Sequence, residues 1–591
     1  MSAILGITFG HADSSACLVI DGRLVAAVAE ERLGDRIKHC PLFPKQAVRS
    51  VLAEAGIGLD EVTHVAVPRN PNSNLASKVR YVLANPRRSA GAVIEHFARR
   101  RAPGESLDQL AEACDVDPAT VRFETVPVEH HLAHIASAYY LSPFDGLTAG
   151  FSYDGSGDFV SAMAARCEGL EIEVLDRVAL PHSLGFLYTA VCQHVGFDQF
   201  GEEYKVMGLN AYGDDACREA LAGLVHYDDR TWFRLEPGYF RMHEGARSGA
   251  MDGDNRIVLD RMYTDRLVDL LGPARDRDAP IEQHHRDIAR SLQVRFEEVA
   301  VHCFRRLHEM VPTERLAYAG GCALNGVANA RILRDTPFTE PYLQCAASDD
   351  GAAVGAAYYC YHQHLGGTER FHMTHAYWGP AYGEDDLRRA ADSCAMPARR
   401  YEDGPLLEAV AELLHRGLVV GWFQGRSEWG PRALGNRSIL ANPTLGHMQQ
   451  LINEKIKRRE QFRPFAPTVL REHVATYFEQ EVSSPFMMHV VKIRPQWQQR
   501  LPAVTHVDGT GRLQTLERGQ NPRYHDLIQA FARRSGVHSL LNTSFNENEP
   551  VVDTPDQAVQ CFLRNDLDAL CLGNHLVCKP AHAELLRSVS G

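Results

Sequence analysis

The sequence predicts a mixed α/β protein: an internally duplicated N-terminal domain followed by a second α/β domain. Three observations carry that prediction. Strand patterns alternate with amphipathic helical ones along the 591 residues, which calls for layered α/β packing. A strand, turn, strand unit occurs near the start of the chain and recurs around residues 147 to 166. Around Gly366 to Gly383 the composition turns rich in Gly, His and Tyr and a fresh helix and strand alternation begins, so the domains are drawn as 1–375 and 376–591. The length also suggests two or more domains.

The elements follow in order. ILGITFGHADSSACLVIDGRLVAAVAEERL reads as three strands; the first two are joined by a turn at His11 to Ser15, the next two by Asp21-Gly22, a strong tight-hairpin dipeptide. Helical patterns cover 45–56 and 129–141. LTAGFSYDGSGDFVSAMAAR is read as a strand over 147–154, a turn at Gly155-Ser156-Gly157-Asp158 and a strand to Arg166. The polar GFDQFGEEYKVMGLNAYG is followed by the long amphipathic EQHHRDIARSLQVRFEEVAVHCFRRLHEM, then by LAYAGGCALNGVANARIL as strand, turn and helix. DGPLLEAVAELLHRGLVVGWFQG opens the second domain as helix then strand. NPRRSAGAVIEHFARRRAPGE, 85–105, reads as a basic, solvated helix.

Composition narrows the function. A net charge of −13 disfavours nucleic acid as the main partner, because a polyphosphate partner calls for basic excess. No stretch approaches the roughly 18 apolar residues of a membrane span, and the first ten residues lack a basic leader, so the chain reads as cytoplasmic with no membrane partner. The 14 cysteines form no CxxC pair, which argues for free thiols over a zinc knuckle or a disulfide framework.

HHLAHIASAYY places His130 and His134 at i and i+4, on one helix face, where two imidazoles can hold one metal ion or simply hydrogen-bond in the core. Two further ligands are offered by carboxylates read as strand ends: Asp154 in SYDGSGD and Asp349 in CAASDDGAAVGAA. Two imidazoles with two carboxylates suit a borderline ion such as iron(II), zinc or manganese. YDGSGD and AGGCALNG are glycine turns that let backbone N–H groups approach a phosphate. With the first turn at Asp13, the second at Asp154 and Asp158, and the pair Gly320-Gly321, they resemble the two phosphate motifs and the adenosine motif of the actin-like ATPase fold.

RSEWGPRALGNRSILANP and NEKIKRREQFRPFAP concentrate Arg426, Arg432, Arg437, Lys455, Lys457, Arg458, Arg459 and Arg463 in an acidic protein. A solvated basic face is the plain reading, but the interleaved Gly, Pro and Phe imply specific turns and a preorganised anion pocket. His506 and Arg512 in THVDGTGRLQT, and Asn542, Thr543, Ser544 and Asn546 in SLLNTSFNENEPVV, add polar turns able to line a phosphate or to bond only locally.

In their order along nearly the whole chain, GHADSSACLVIDG, HHLAHIASAYY, YDGSGD, GEEYKVMGL, GGCALNG, SDDGAAVGAA, GPRALGNRSILANP, IKRREQFRPFAP and LNTSFN resemble the O-carbamoyltransferases of the nodulation-protein, cephamycin and nebramycin type. The resemblance implies an actin-like ATPase-fold N-terminal domain and a YrdC-like C-terminal domain. The latter would condense ATP, carried with Mg2+, and carbamoyl phosphate to carbamoyl adenylate, and the former would pass the carbamoyl group to a hydroxyl of a small-molecule acceptor. By position, the resemblance implies His130, His134, Asp154 and Asp349 as metal ligands, commonly for iron, and Arg432, Lys457, Arg463, Arg512 and Ser544 as ligands of carbamoyl phosphate and nucleotide. It places Gly320, Gly321 and Asn325 at the adenosine and His11 beside the acceptor as base or positioner. The family's frequent homodimers leave the oligomeric state open. Two other readings are a tRNA threonylcarbamoyladenosine-type transferase, which the acidic balance opposes, and an actin-fold kinase or ATPase with a regulatory module, which leaves the histidine pair and the arginine motifs without a task.

Overall fold

A computed structural model describes residues 2–10, 13–34, 36–84, 103–241, 250–251, 257–584 and 586. His11 and residues 85–102 of the basic stretch lie outside the described residues. The chain divides into two compact units, Met1–Met373 and Thr374–Gly591. No described helix is long and apolar enough to cross a membrane.

The first unit contains two five-stranded sheets of the same topology. In the first, β1 (Ala3–Thr8), β2 (Ser15–Ile20) and β3 (Arg23–Ala29) form an antiparallel meander, while β4 (His64–Val67) and β5 (Glu124–Pro127) extend it in parallel, giving the order β3-β2-β1-β4-β5. In the second, β6 (Thr148–Gly157), β7 (Val160–Glu168) and β8 (Glu171–Ala179) form the meander and β9 (Arg315–Ala319) and β10 (Glu340–Tyr342) the parallel extension, giving β8-β7-β6-β9-β10. The repeat seen in the sequence is therefore a whole sheet, not only a hairpin. Asp21 and Gly22 both have positive φ and turn β2 into β3, as their dipeptide demands.

Among the helices of this unit, those that position the site are α1 (Lys45–Ala55), α2 (His130–Tyr139), α3 (Gln283–Met310), α4 (Gly326–Asp335) and α5 (Asp349–Tyr359), the last continued by a π-helical turn over Cys360–His364. Glycine decides how closely α5 packs. A Cβ on Gly355 would lie 1.8 Å from the Ala133 carbonyl oxygen of α2, and one on Gly6 of β1 2.3 Å from the Ala353 oxygen of α5. Only a run such as GAAVGAA lets the backbones of α5, α2 and β1 come this near.

The second unit is built on one nine-stranded mixed sheet. Its strands are β11 (Ala398–Arg400), β12 (Val420–Phe423), β13 (Arg437–Ala441), β14 (Ala466–Leu470), β15 (His489–Lys492), β16 (Thr510–Leu516), β17 (Ser539–Ser544), β18 (Ala569–Leu572) and β19 (His575–Cys578), in the order β11-β19-β18-β12-β13-β17-β14-β16-β15. Helices α6 (Asp403–His415) and α7 (Pro522–Ser535) pack their apolar faces, Leu406, Val410 and Leu414 with Leu527, Ile528 and Phe531, onto a core shared with Trp422 and Leu540. Leu, Ile and Phe side chains buried this fully contribute roughly 1.5–3 kcal/mol each.

Two expectations change in detail. The strand read as ending at 154 runs to Gly157, with a register shift after Tyr153, and the chain reverses at Asp158 and Phe159, both of positive φ. Asp349 does not end a strand; it is the first residue of α5.

Candidate functional site

Helix α2 is buried over nearly its whole length, His130, His131 and His134 included. Burying an imidazole without partners costs more than burying Ile135 beside it returns, so each ring has to be accounted for. His131 is satisfied by protein alone. Its Nε2 lies 2.9 Å from the Val160 carbonyl oxygen, which can only accept, so Nε2–H donates there and Nδ1 accepts from the Ser152 hydroxyl at 2.8 Å. Burial holds its pKa well below the ordinary value, so it is a neutral strut between α2 and the β6–β7 hairpin.

His130 and His134 behave differently. Their Nε2 atoms face each other at 3.0 Å, and the two carboxylates close around them: Asp154 Oδ2 is 3.1 Å from His134 Nε2, and Asp349 Oδ1 is 3.3 Å from His130 Nε2 and 3.5 Å from that of His134. One ligand atom from each of the four residues lies within 4.8 Å of every other. His130 Nδ1 is 3.3 Å from the Pro68 carbonyl, to which it donates, leaving the Nε2 lone pair aimed at the cluster. Asp154 Oδ2 is buried and faces the His134 imidazole as its near polar neighbour.

The local chain explains the convergence. Asp154 follows the last regular β6–β7 pair, Tyr153 with Ala162, so the register shift turns its side chain out of the sheet. Ser183 donates to the Asp154 and Gly155 carbonyl oxygens, and Gly320 and Gly321 lie so close that added Cβ atoms would be 2.2 Å from the Tyr153 oxygen and 2.8 Å from Asp154 Oδ1. Helix α2 lacks a side-chain cap of its own; Asp158 supplies one from the hairpin, accepting from the backbone N–H groups of His130 and Asn70. His130 also needs room. A Cβ on Gly157 would sit 2.0 Å from its ring, so Gly157→Ala is expected to displace His130 and lower the number of metal ions the purified protein retains, which elemental analysis reads directly.

Electrostatics point the same way. Burial works against charge on His130, but Asp154 and Asp349 outweigh it and hold its pKa well above the ordinary value, while both carboxylates are held well below theirs despite their own burial. Two buried carboxylates demand positive charge at this spot. Protons on imidazole supply part of it, and a divalent cation supplies it with better geometry, so the donor set fits such an ion.

The other residues singled out in the sequence have these places. Asp13, of positive φ, binds His39 Nδ1 through Oδ1 at 2.7 Å, and with Glu31 they form a second acid and imidazole group; His39 and Glu31 carried no sequence signal beyond their type. Asn325 caps α4 by accepting from Ala328 N–H, and its amide exchanges hydrogen bonds with Gln293 of α3.

In the second unit the basic constellation separates into three groups. Lys455 and Arg458 are exposed. Arg437 is fully buried and structural: it donates to the carbonyl oxygens of Gln424, Gly425, Pro380 and Asp553 and stacks on Phe423 at 3.7 Å, while Arg426 donates to those of Trp378 and Gly379. That departs from the anion-pocket expectation for these two, because both guanidinium groups are occupied in holding turns. Arg432, Lys457, Arg459, Arg463 and Arg512 remain, and they repel one another. Burial first, then Arg432, Arg459 and Arg463, push the Arg512 pKa well below the arginine value; burial, then Arg459, does the same to Lys457, with Arg463 adding to it.

Lys457 Nζ, itself buried, reaches Ser544 Oγ at 3.2 Å, Asn546 Oδ1 at 2.6 Å and the Asn546 carbonyl at 2.8 Å, which ties the 457–463 loop to the end of β17. Buried Asn453 braces that loop from below, donating to the Arg463 carbonyl and accepting from Arg459 Nε. His506, held neutral by burial with a pKa lowered to about 4, lies near Arg512. A preorganised set of cations kept together against repulsion has the chemistry to hold a polyanionic ligand.

A duplicated α/β unit with a buried imidazole and carboxylate cluster, together with an α/β unit carrying a cation cluster, defines a two-unit α/β protein equipped to hold a cation in one unit and an anion in the other. The chain belongs to the carbamoyltransferase family and is a transferase: residues 3–358 match the family described as Carbamoyltransferase N-terminus and residues 411–579 that described as Carbamoyltransferase C-terminus. It is 36% identical to the uncharacterized protein sll1178 of Synechocystis sp. over 99% of this chain and 98% of that one. It is 37% identical to nodulation protein NolNO of Sinorhizobium fredii over 97% of this chain and 79% of the relative. A 3'-hydroxymethylcephem-O-carbamoyltransferase of Amycolatopsis lactamdurans is 36% identical over 60% of each chain.

Proposed function

We propose that the protein is an O-carbamoyltransferase that activates before it transfers. In the first step ATP, carbamoyl phosphate and water give carbamoyl adenylate, pyrophosphate and inorganic phosphate; in the second the acceptor hydroxyl displaces AMP and becomes a carbamate ester. Activation is needed because carbamoyl phosphate is a poor donor to an alcohol, whereas the mixed anhydride has AMP as a good leaving group. The observation that carries the reading is the mutually repelling cluster of Arg432, Lys457, Arg459, Arg463 and Arg512 in a carbamoyltransferase-family chain of net charge −13. Arg432, Lys457, Arg463 and Arg512 bind the phosphate groups and stabilise the charge that develops as pyrophosphate leaves. Ser544 and Asn546, held by Lys457, line the same pocket.

Transfer belongs to the first unit, whose paired sheets support an actin-like ATPase fold; the second unit takes the YrdC-like part. Asp13, Gly320 and Gly321 serve the nucleotide, and His11 the acceptor hydroxyl. His130, His134, Asp154 and Asp349 would hold a divalent ion, iron(II) before zinc or manganese, which supplies Lewis-acid charge stabilisation during transfer. His130 and His134 enter as neutral ligands through Nε2, so protons compete with the ion, and the raised pKa of His130 makes it a site of that competition.

The test is incubation with ATP, Mg2+ and carbamoyl phosphate without acceptor. Pyrophosphate release that depends on carbamoyl phosphate, with a nucleotide product of carbamoyl adenylate mass, is expected; ADP and phosphate formed regardless of carbamoyl phosphate would return the kinase reading.

A further inference from the structure

A further group of ligand-type side chains, besides Asp13, Glu31 and His39, lies at the other end of α5. His64 of β4 and Glu124 of edge strand β5 are register partners, and His364 ends the π-helical turn that continues α5. Glu124 Oε1 is 2.9 Å from His364 Nε2 and its Oε2 is 3.9 Å from His64 Nε2; the rings are 5.9 Å apart at 70°. One atom from each lies within 4.8 Å of the others. Zinc bonds of about 2.0–2.2 Å in tetrahedral geometry need ligand atoms some 3.3 Å apart, which small side-chain rotations here provide.

The tautomer of His64 is set independently. Thr63 Oγ1 donates its single hydrogen to the Ala3 carbonyl oxygen at 2.9 Å, so it can only accept from His64 Nδ1, 2.9 Å away. Nδ1 therefore carries the hydrogen and the Nε2 lone pair points at Glu124 and His364. An imidazole oriented by a hydrogen bond at its far nitrogen is the arrangement metal-ligating histidines use. Hydrogen bonding alone would satisfy His364 and Glu124, but it leaves that lone pair facing a carboxylate, which only a proton or a cation between them makes favourable.

We propose that His64, Glu124 and His364 form a zinc-type structural site, with water as fourth ligand, that clamps β4 and β5 to the end of α5. Its place gives it a purpose. Asp349 begins α5, and about 15 residues at 1.5 Å each put the clamp roughly 20 Å away along the same axis. β4 runs on into Pro68, whose carbonyl orients His130. The ion braces α5, which carries Asp349, and β4, which leads to the Pro68 carbonyl behind His130, without touching the first cluster.

The test is zinc stoichiometry by equilibrium dialysis of the full-length protein after chelator treatment. His364→Ala is expected to bind one ion fewer than wild type, the double variant His130→Ala/His134→Ala one fewer, and the triple variant two fewer. His364 is partly exposed, 41%, so its variant keeps the metal-free melting temperature while losing the zinc-induced increase. A wild-type count of one that His364→Ala abolishes would remove the first cluster as a zinc site and leave this one standing. Zinc binding by His364→Ala equal to wild type, or none by the His130→Ala/His134→Ala protein, overturns the proposal.

Discussion

Replacing Arg512 with methionine is expected to slow carbamoyl-phosphate-dependent pyrophosphate release by about 10²–10³-fold while leaving the melting temperature unchanged or raised. The two effects share one cause. Arg512 is placed beside Arg432, Arg459 and Arg463, and its folded pKa lies well below that of a free arginine. A base whose folded pKa is depressed is disfavoured as a cation in the fold, so its charge costs stability at every pH below the unfolded value, the physiological range included. Methionine keeps most of the buried stem, removes the charge and relieves its neighbours. The ligand then loses a donor aimed at its phosphates, which is where the cost reappears. Stability and activity moving in opposite directions is the signature of a site strained for function. A variant that loses activity and melting temperature together would reassign Arg512 to structural support.

The second expected result divides the two half-reactions. His130→Ala or His134→Ala should leave pyrophosphate release within about twofold of wild type, and should lower acceptor carbamoylation by 10²-fold or more if the ion supplies most of the charge stabilisation in transfer. The metal-free chain adds a pH signature. The raised folded pKa of His130 means its pairing with Asp154 and Asp349 stabilises fully below the unfolded histidine value and is lost as pH rises through the folded one; the depressed carboxylates stabilise above their unfolded values and lose that as pH falls. A divalent ion bound there would replace the His130 proton, so adding metal should stabilise the wild type most at the alkaline side, and the His130→Ala protein much less. If His130→Ala also stops pyrophosphate release in a folded protein, the separation of steps between the units is wrong.

Much of the cluster was legible in the sequence because it is local there. His130 and His134 at i and i+4 share a helix face whatever surrounds them, and Asp154 stands in a glycine-rich segment that was legible as a break although it proved to be the last stretch of β6. Asp349 was legible as a polar interruption of a small-residue run, although its place at the head of a helix was not: Asp opens helices and ends strands equally well. Arg437 and Arg432 sit five residues apart in one basic motif, and nothing in that motif says that one guanidinium is spent on five carbonyl oxygens and the other left to a charged cluster.

By itself the sequence determined periodicity, turn chemistry, charge balance and the repeat of a strand unit, since each follows from neighbours within a few residues. The tertiary structure alone decided which imidazole is a strut and which two face the buried carboxylates. His131 stands three residues before His134 and His130 four, both spacings of helix neighbours, but Ser152 and Val160 reach only His131, and Asp154 and Asp349 only the other two. It alone joined His64, Glu124 and His364, 300 residues apart at the extremes, because a parallel strand register and the closeness that glycine allows α5 are properties of packing and not of any local pattern.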